Sequence, residues 1–67
     1  MKYRIEVKKG DDWTVSSDYS MAYDKAEIIK ATRILRGILA YPVRVTIAAT
    51  ATSPALEVLD GDGHDDA

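Results

Sequence analysis

The chain contains no cysteine, which excludes disulfide frameworks, thiolate metal sites and thiol catalysis together and fits a reducing compartment. It has a single histidine, His64, near its C-terminal end. General acid–base chemistry needs such a group held rigidly beside a nucleophile or carboxylate, which a polar chain end does not provide. The four glycines, Gly10, Gly37, Gly61 and Gly63, are scattered rather than gathered between a strand and a helix, so no phosphate-cradling loop is present. No apolar run approaches the roughly 20 residues that span a bilayer. The first residues interleave Lys2, Arg4, Glu6 and Lys8 with apolar ones, unlike a secretory leader. These absences point away from an enzyme, a cofactor or metal protein and a membrane protein. The expectation they leave is a cytoplasmic chain that acts by binding.

What is present is short: 67 residues, about half the usual domain length, enough for one modest core that buries about 60% of the unfolded surface. The formal charge of −2 conceals an asymmetry. Residues 1–52 hold nine Lys/Arg against six Asp/Glu, whereas residues 53–67 hold five acids and no base. A mildly basic body therefore precedes an acidic tail.

From Lys2 to Lys8, apolar Tyr3, Ile5 and Val7 alternate with charged residues, the period of a strand burying one face. Lys9-Gly10-Asp11-Asp12 supplies a turn, and Trp13 to Ser17 resumes the alternation, so the two runs predict a hairpin with Trp13 and Val15 beside Tyr3, Ile5 and Val7 inside. Ser17, Asp18 and Ser20 are candidate helix caps, and the period changes to that of a helix from about Met21 to about Leu39, with Asp24 and Glu27 near its start. Ile28, Ala31, Leu35, Ile38 and Leu39 form its apolar stripe. Gly37 is a possible early cap, and Pro42 ends the helix in any case.

Val43, Val45 and Ile47 then alternate with Arg44 and Thr46, predicting a third strand beside the first in the order 2-1-3, antiparallel to the first and parallel to the second. Leu56 to Leu59 reads either as a fourth edge strand or as a segment docking on a partner. The expected fold class is α+β, ββαβ(β), with one helix on a small three- to four-stranded antiparallel sheet. Trp13, Ile28, Leu35 and Val45 are expected to share one interior. Residues 1–59 make the domain, and residues 60–67, with no apolar residue to bury, make a disordered acidic tail. Asp60, Asp62, His64 and Asp65 resemble a calcium loop only weakly, because Asp65 stands where that loop needs glycine and the bidentate glutamate is missing.

Two surfaces remain for binding. On the helix, Lys25, Lys30, Arg33 and Arg36 lie opposite the apolar stripe and surround Ala22, Ala26 and Ile29, an arrangement of basic rim and apolar centre that suits a protein contact. On the sheet, Lys2, Arg4, Lys8 and Arg44, with Thr14, Ser16 and Thr46, share the face away from the helix and offer an alternative contact with nucleic-acid phosphates. Exposed aromatics for base stacking are missing from that reading. A third possibility is a homodimer that buries the open sheet face or an edge, which so small a core makes reasonable.

The succession of an alternating strand, a Gly-Asp turn, a Trp-bearing second strand, an Ala/Ile-rich helix and the Tyr41-Pro42-Val43-Arg44-Val45 strand resembles small phage and prophage accessory proteins, anti-CRISPR inhibitors among them. The resemblance covers residues 1–47 and concerns size and element order, without a shared motif. It implies a stoichiometric, non-catalytic inhibitor in the host-cell cytoplasm that docks on a host protein complex. The basic body departs from the DNA-mimicking members of that group.

Overall fold

The structure, a computed structural model, describes residues 1–61. Its elements are β1 (Lys2–Lys9), β2 (Asp12–Ser20), α1 (Lys25–Ile38), β3 (Val43–Ala48) and β4 (Ala55–Asp60). They form one helix packed on a four-stranded antiparallel sheet in the order β2-β1-β3-β4, a small α+β fold. The β1–β2 hairpin closes through the two residues Gly10 and Asp11, with Gly10 at φ 69°, the left-handed geometry that matches the twist of paired strands. β1 is paired on both sides, to β2 and β3, and the Lys8 amide donates to the Pro42 carbonyl at 3.0 Å to prolong the second ladder.

One face of the sheet carries the core. Tyr3, Ile5 and Val7 stand opposite Ile47, Val45 and Val43, and Ile28 of α1 closes over them. The helix lies chiefly over β3. It starts later than the periodicity predicts, because β2 continues to Ser20 and the chain then turns, the Ser20 carbonyl and hydroxyl accepting from the Tyr23 and Ala22 amides. Asp24, and not Ser17, Asp18 or Ser20, is the cap, its carboxylate accepting from the Ala26 amide at 2.9 Å. The helix ends at Ile38 without help from Gly37. Leu39 is already extended, ahead of the restriction that Pro42 places on Tyr41, while its amide still donates to the Leu35 carbonyl at 2.8 Å.

The buried stripe is also turned from the expected one. Ile28 and Thr32 face the sheet with Leu35 half-buried beside them, whereas Ile38 is 72% and Leu39 37% exposed. At 100° per residue this is a rotation of roughly a third of a step. It is possible because the Thr32 hydroxyl donates to the Ile28 carbonyl at 2.8 Å, so a fully buried threonine leaves no orphaned polar atom and presents its methyl to the core.

A second departure concerns β2. Ile5 stands opposite Ser17 but Glu6 stands opposite Val15, so Ser16 is an extra residue, a β-bulge. It reverses the side-chain parity along the strand. Tyr19 and Ser17 point to the helix side, and Trp13 and Val15, expected inside, lie on the opposite face with Lys8 and Glu6. Ile28, Leu35 and Val45 thus share an interior from which Trp13 is excluded.

The Leu56–Leu59 segment is an edge strand. Register shifts opposite β3 leave Leu56 and Leu59 without a facing residue, and Leu56 is exposed. β4 runs on to Asp60, which is therefore part of the domain and not of the tail; residues 62–67, with the rest of that expectation, lie outside the described residues. Gly61 follows at φ 91°, and a Cβ there would sit 2.6 Å from the Val43 carbonyl oxygen. Among the described residues no helix is long and apolar enough to cross a membrane.

Candidate functional site

The face of the sheet away from the helix is covered over Arg4, Glu6 and Thr46. The β3–β4 loop folds across it, and the Arg4 guanidinium reaches its carbonyls through Nη1, at 3.4 Å to Thr50 and Ala51 and closer still to Ser53. Arg4 Nη2 pairs with Glu6 Oε2 at 2.7 Å, and Arg44 Nε with Glu6 Oε1 at 2.7 Å. Thr46 Oγ1 adds a donor to Glu6 Oε2 at 3.2 Å. The side chains of Arg4 and Glu6 are 5% and 3% exposed. Low local dielectric makes such pairs strong only where both charges are also hydrogen-bonded, and the carbonyl cradle around Arg4 provides this. Arg4 Nε is the one buried side-chain polar atom without a partner among the described residues.

The four bases of the nucleic-acid reading do share this face, as their parity requires, but they are committed elsewhere. Arg4 and Arg44 hold Glu6, Lys2 pairs with Asp18 at 3.1 Å, and Lys8 lies 5.9 Å above the Trp13 ring. Of the neighbouring polar residues, Thr46 is fully buried, and Thr14 faces the helix side opposite Val7. Sequence periodicity could place the bases on a face; the acid between them, Glu6, was the signal that they are paired.

The helix face has a different character. Ala26, Ile29, Lys30, Arg33 and Ile34 line a shallow groove of about 450 Å³. Ile29 is half-buried at its base and packs on the core, while Ile34 is 57% exposed. Ile34 was missed as a contact residue because the apolar stripe was centred too near it; with the helix turned toward Thr32, Ile34 falls outside. Lys25 and Lys30 are exposed and have no ion-pair partner among the described residues. Arg33 is two-thirds exposed and meets Asp60 at 3.5 Å. Arg36 is different: it donates to the Val43 carbonyl at 3.0 and 3.2 Å and to Asp60 at 3.2 Å, tying α1 to β3 and β4. Of the five residues expected to meet a partner, Ile29, Lys30 and Arg33 come together in the groove, Lys25 lies one turn away at the helix start, and Arg36 serves the fold.

One helix on a four-stranded antiparallel sheet defines a class of architecture, a small α+β domain. Compared with protein families, characterised proteins and solved structures, the chain matches none.

Proposed function

We propose that the chain is a non-catalytic protein-binding module that seats the α1 groove on an acidic partner surface. The observation that carries this reading is the groove itself, half-buried Ile29 flanked by exposed Ala26 and Ile34 and bordered by the basic side chains of Lys30 and Arg33. Apolar anchors desolvate and supply affinity, and the surrounding charges steer and orient an acidic partner. Two copies of this face meeting each other would set base against base, which disfavours self-association here. The sheet's other face is a poorer candidate for phosphate contacts because Arg4 is buried and paired and Lys2 is paired, which leaves only Lys8 and the outer nitrogens of Arg44 without an acidic partner among the described residues. The resemblance in element order to phage accessory inhibitors makes a host nucleoprotein complex in the cytoplasm the first partner to assay.

The test is affinity capture with the tagged chain, comparing wild type with K30E/R33E, Ile34→Asp and, on the opposite face, Lys2→Glu. The helix variants lose the captured partner while circular dichroism and melting temperature stay near wild type, and Lys2→Glu retains it. Loss through Lys2→Glu alone, together with duplex DNA binding that weakens steeply with salt, would replace this reading with nucleic-acid binding.

A further inference from the structure

β2 is an edge strand, and no described strand pairs with its outer side. Such an edge presents a row of unmatched amides and carbonyls, which proteins ordinarily blunt with charged residues, proline, a bulge or a covering element. β2, Asp12–Ser20, contains no lysine and no proline, and its devices of this kind are the bulge at Ser16 and the charges of Asp12 and Asp18.

Two clefts flank the middle of this edge, one on each face of the sheet, and both include Thr14 and Val15. On the helix side, Val7, Leu39 and Tyr41, with Lys9 and Ser16 at the margin, join them around about 280 Å³. Leu39 and Tyr41 are 37% and 46% exposed, so the short segment after α1 lends apolar surface to this cleft without being buried by it. On the other side, Trp13, Arg44, residues Ala51–Pro54 and the buried, mutually paired Arg4 and Glu6 surround the second cleft, which leaves Arg44 as its net charge. There the Arg44 guanidinium lies on the Trp13 ring, and of its nitrogens only Nε has a hydrogen-bond partner among the described residues. Its remaining donors are those that recognise a carboxylate.

We infer that β2 accepts an extended segment of another protein by strand addition, with apolar side chains entering the helix-side cleft and an acidic side chain meeting Arg44 on the opposite face. Alternation is intrinsic to a strand, so one segment places successive side chains in the two clefts. The clefts differ in chemistry, and the incoming strand must differ in the same way. A second copy of β2 has the wrong pattern. Facing residues in paired strands point to the same side, so a second β2 would bring Val15 to the arginine and Thr14 and Ser17 to the apolar cleft. A foreign strand of alternating apolar and acidic residues is the occupant that fits. This surface is independent of the α1 groove.

The experiment is titration of the isotope-labelled full chain with a blocked octapeptide of alternating valine and glutamate, followed by amide shifts. Two further peptides carry N-methyl groups on the valines or on the glutamates. Only alternate residues of a strand turn their amides toward a given neighbour, so one methylated peptide weakens by at least about tenfold, the equivalent of one to two hydrogen bonds, and the other binds like the parent. Shifts centre on Trp13–Ser17 and on the indole N–H. Tyr41→Ala weakens the parent peptide, and K30E/R33E leaves it unchanged, which separates this surface from the helix groove. An alternating valine–lysine peptide binds less tightly than the parent. The inference is overturned if no shifts appear up to the solubility of the peptide, if they centre on α1, or if both methylated peptides bind like the parent.

Discussion

The carbon at the centre of the Arg44 guanidinium lies 4.1 Å from the middle of the Trp13 ring, while Nε of the same group holds Glu6 at 2.7 Å. One side chain of β3 thus reaches across β1 to β2, binding a carboxylate at one edge and an aromatic surface with its plane. The contact joins three strands on the face without a helix. Arginine suits this because its planar charge stacks and donates at once, which a lysine ammonium does not do.

Removing Glu6 should be the most damaging change on that face. Glu6→Ala leaves buried Arg4, and the partly exposed Arg44 beside it, without a counter-charge, a situation that costs about 3–5 kcal/mol, equal to much of the stability of so small a domain. Exchanging Arg4, Glu6 and Arg44 together for methionine, leucine and methionine is expected to cost far less, since no uncompensated charge then remains. Urea denaturation of the two variants measures the contrast, and equal losses would show that packing, not charge, decides.

Deletion of Ser16 tests the bulge. Without the extra residue, strict alternation from Ser17 keeps Thr14 on the helix side and Trp13 and Val15 on the other, the same faces as in the bulged strand. Trp13 therefore stays on Arg44, and its intrinsic fluorescence stays near that of the wild type. Ser16→Ala keeps the residue count and likewise preserves the emission. A large shift of the emission in the deletion variant would contradict the assigned register, because in a strand without the bulge the same deletion moves Trp13 to the other face.

At the start of α1, Asp24→Ala removes the side chain that accepts from the Ala26 amide. Loss of such a cap costs about 1 kcal/mol, which for a domain of this size lowers the melting temperature by about 4–8 °C. Asp24→Ser restores most of it. Ser20→Ala, which the sequence also nominated as a cap, touches only the preceding turn and has a smaller effect.

Three glycine-to-alanine changes rank by geometry. Gly61→Ala meets both a positive φ and the Val43 carbonyl oxygen, and it disturbs Arg36 Nη2, 2.7 Å from the added carbon. It is the most destabilising of the three. Gly10→Ala has open space and pays only the left-handed conformation, about 1–2 kcal/mol. Gly37→Ala, inside the helix with nothing nearby, stabilises by up to about 1 kcal/mol. Thermal melts of the three variants give the order.

These contrasts also show how far the sequence could be read. Tyr3, Ile5 and Val7 were legible as buried, and Val43 and Val45 as their partners, because a period of two over an uninterrupted run has one solution. The parity of Trp13 was not legible: a bulge is a single extra residue, and nothing in Val15-Ser16-Ser17 marks it. The helix rotation escaped for a related reason, since a polar Thr32 reads as surface until its hydroxyl is seen to be satisfied within the helix. In the candidate groove, Lys30 and Arg33 were visible as an opposite face. Arg36 was indistinguishable from them, because the carbonyl and carboxylate that capture it belong to β3 and β4. The covering of Arg4 and Glu6 on the sheet's second face was invisible in advance, for it depends on a loop whose backbone, not its side chains, meets Arg4.

That grip of Arg4 on the loop joins residues 49 positions apart, Arg4 and Ser53. Because synthesis runs from the N-terminus, the β1–β2 hairpin leaves the ribosome well before β3 and β4, and the arginine and the glutamate beside it stay hydrated until the loop arrives. The domain therefore becomes native only once the chain has been made as far as β4, and a truncation before Ser53 would leave a hairpin with one flank of β1 open to any other strand in the cell.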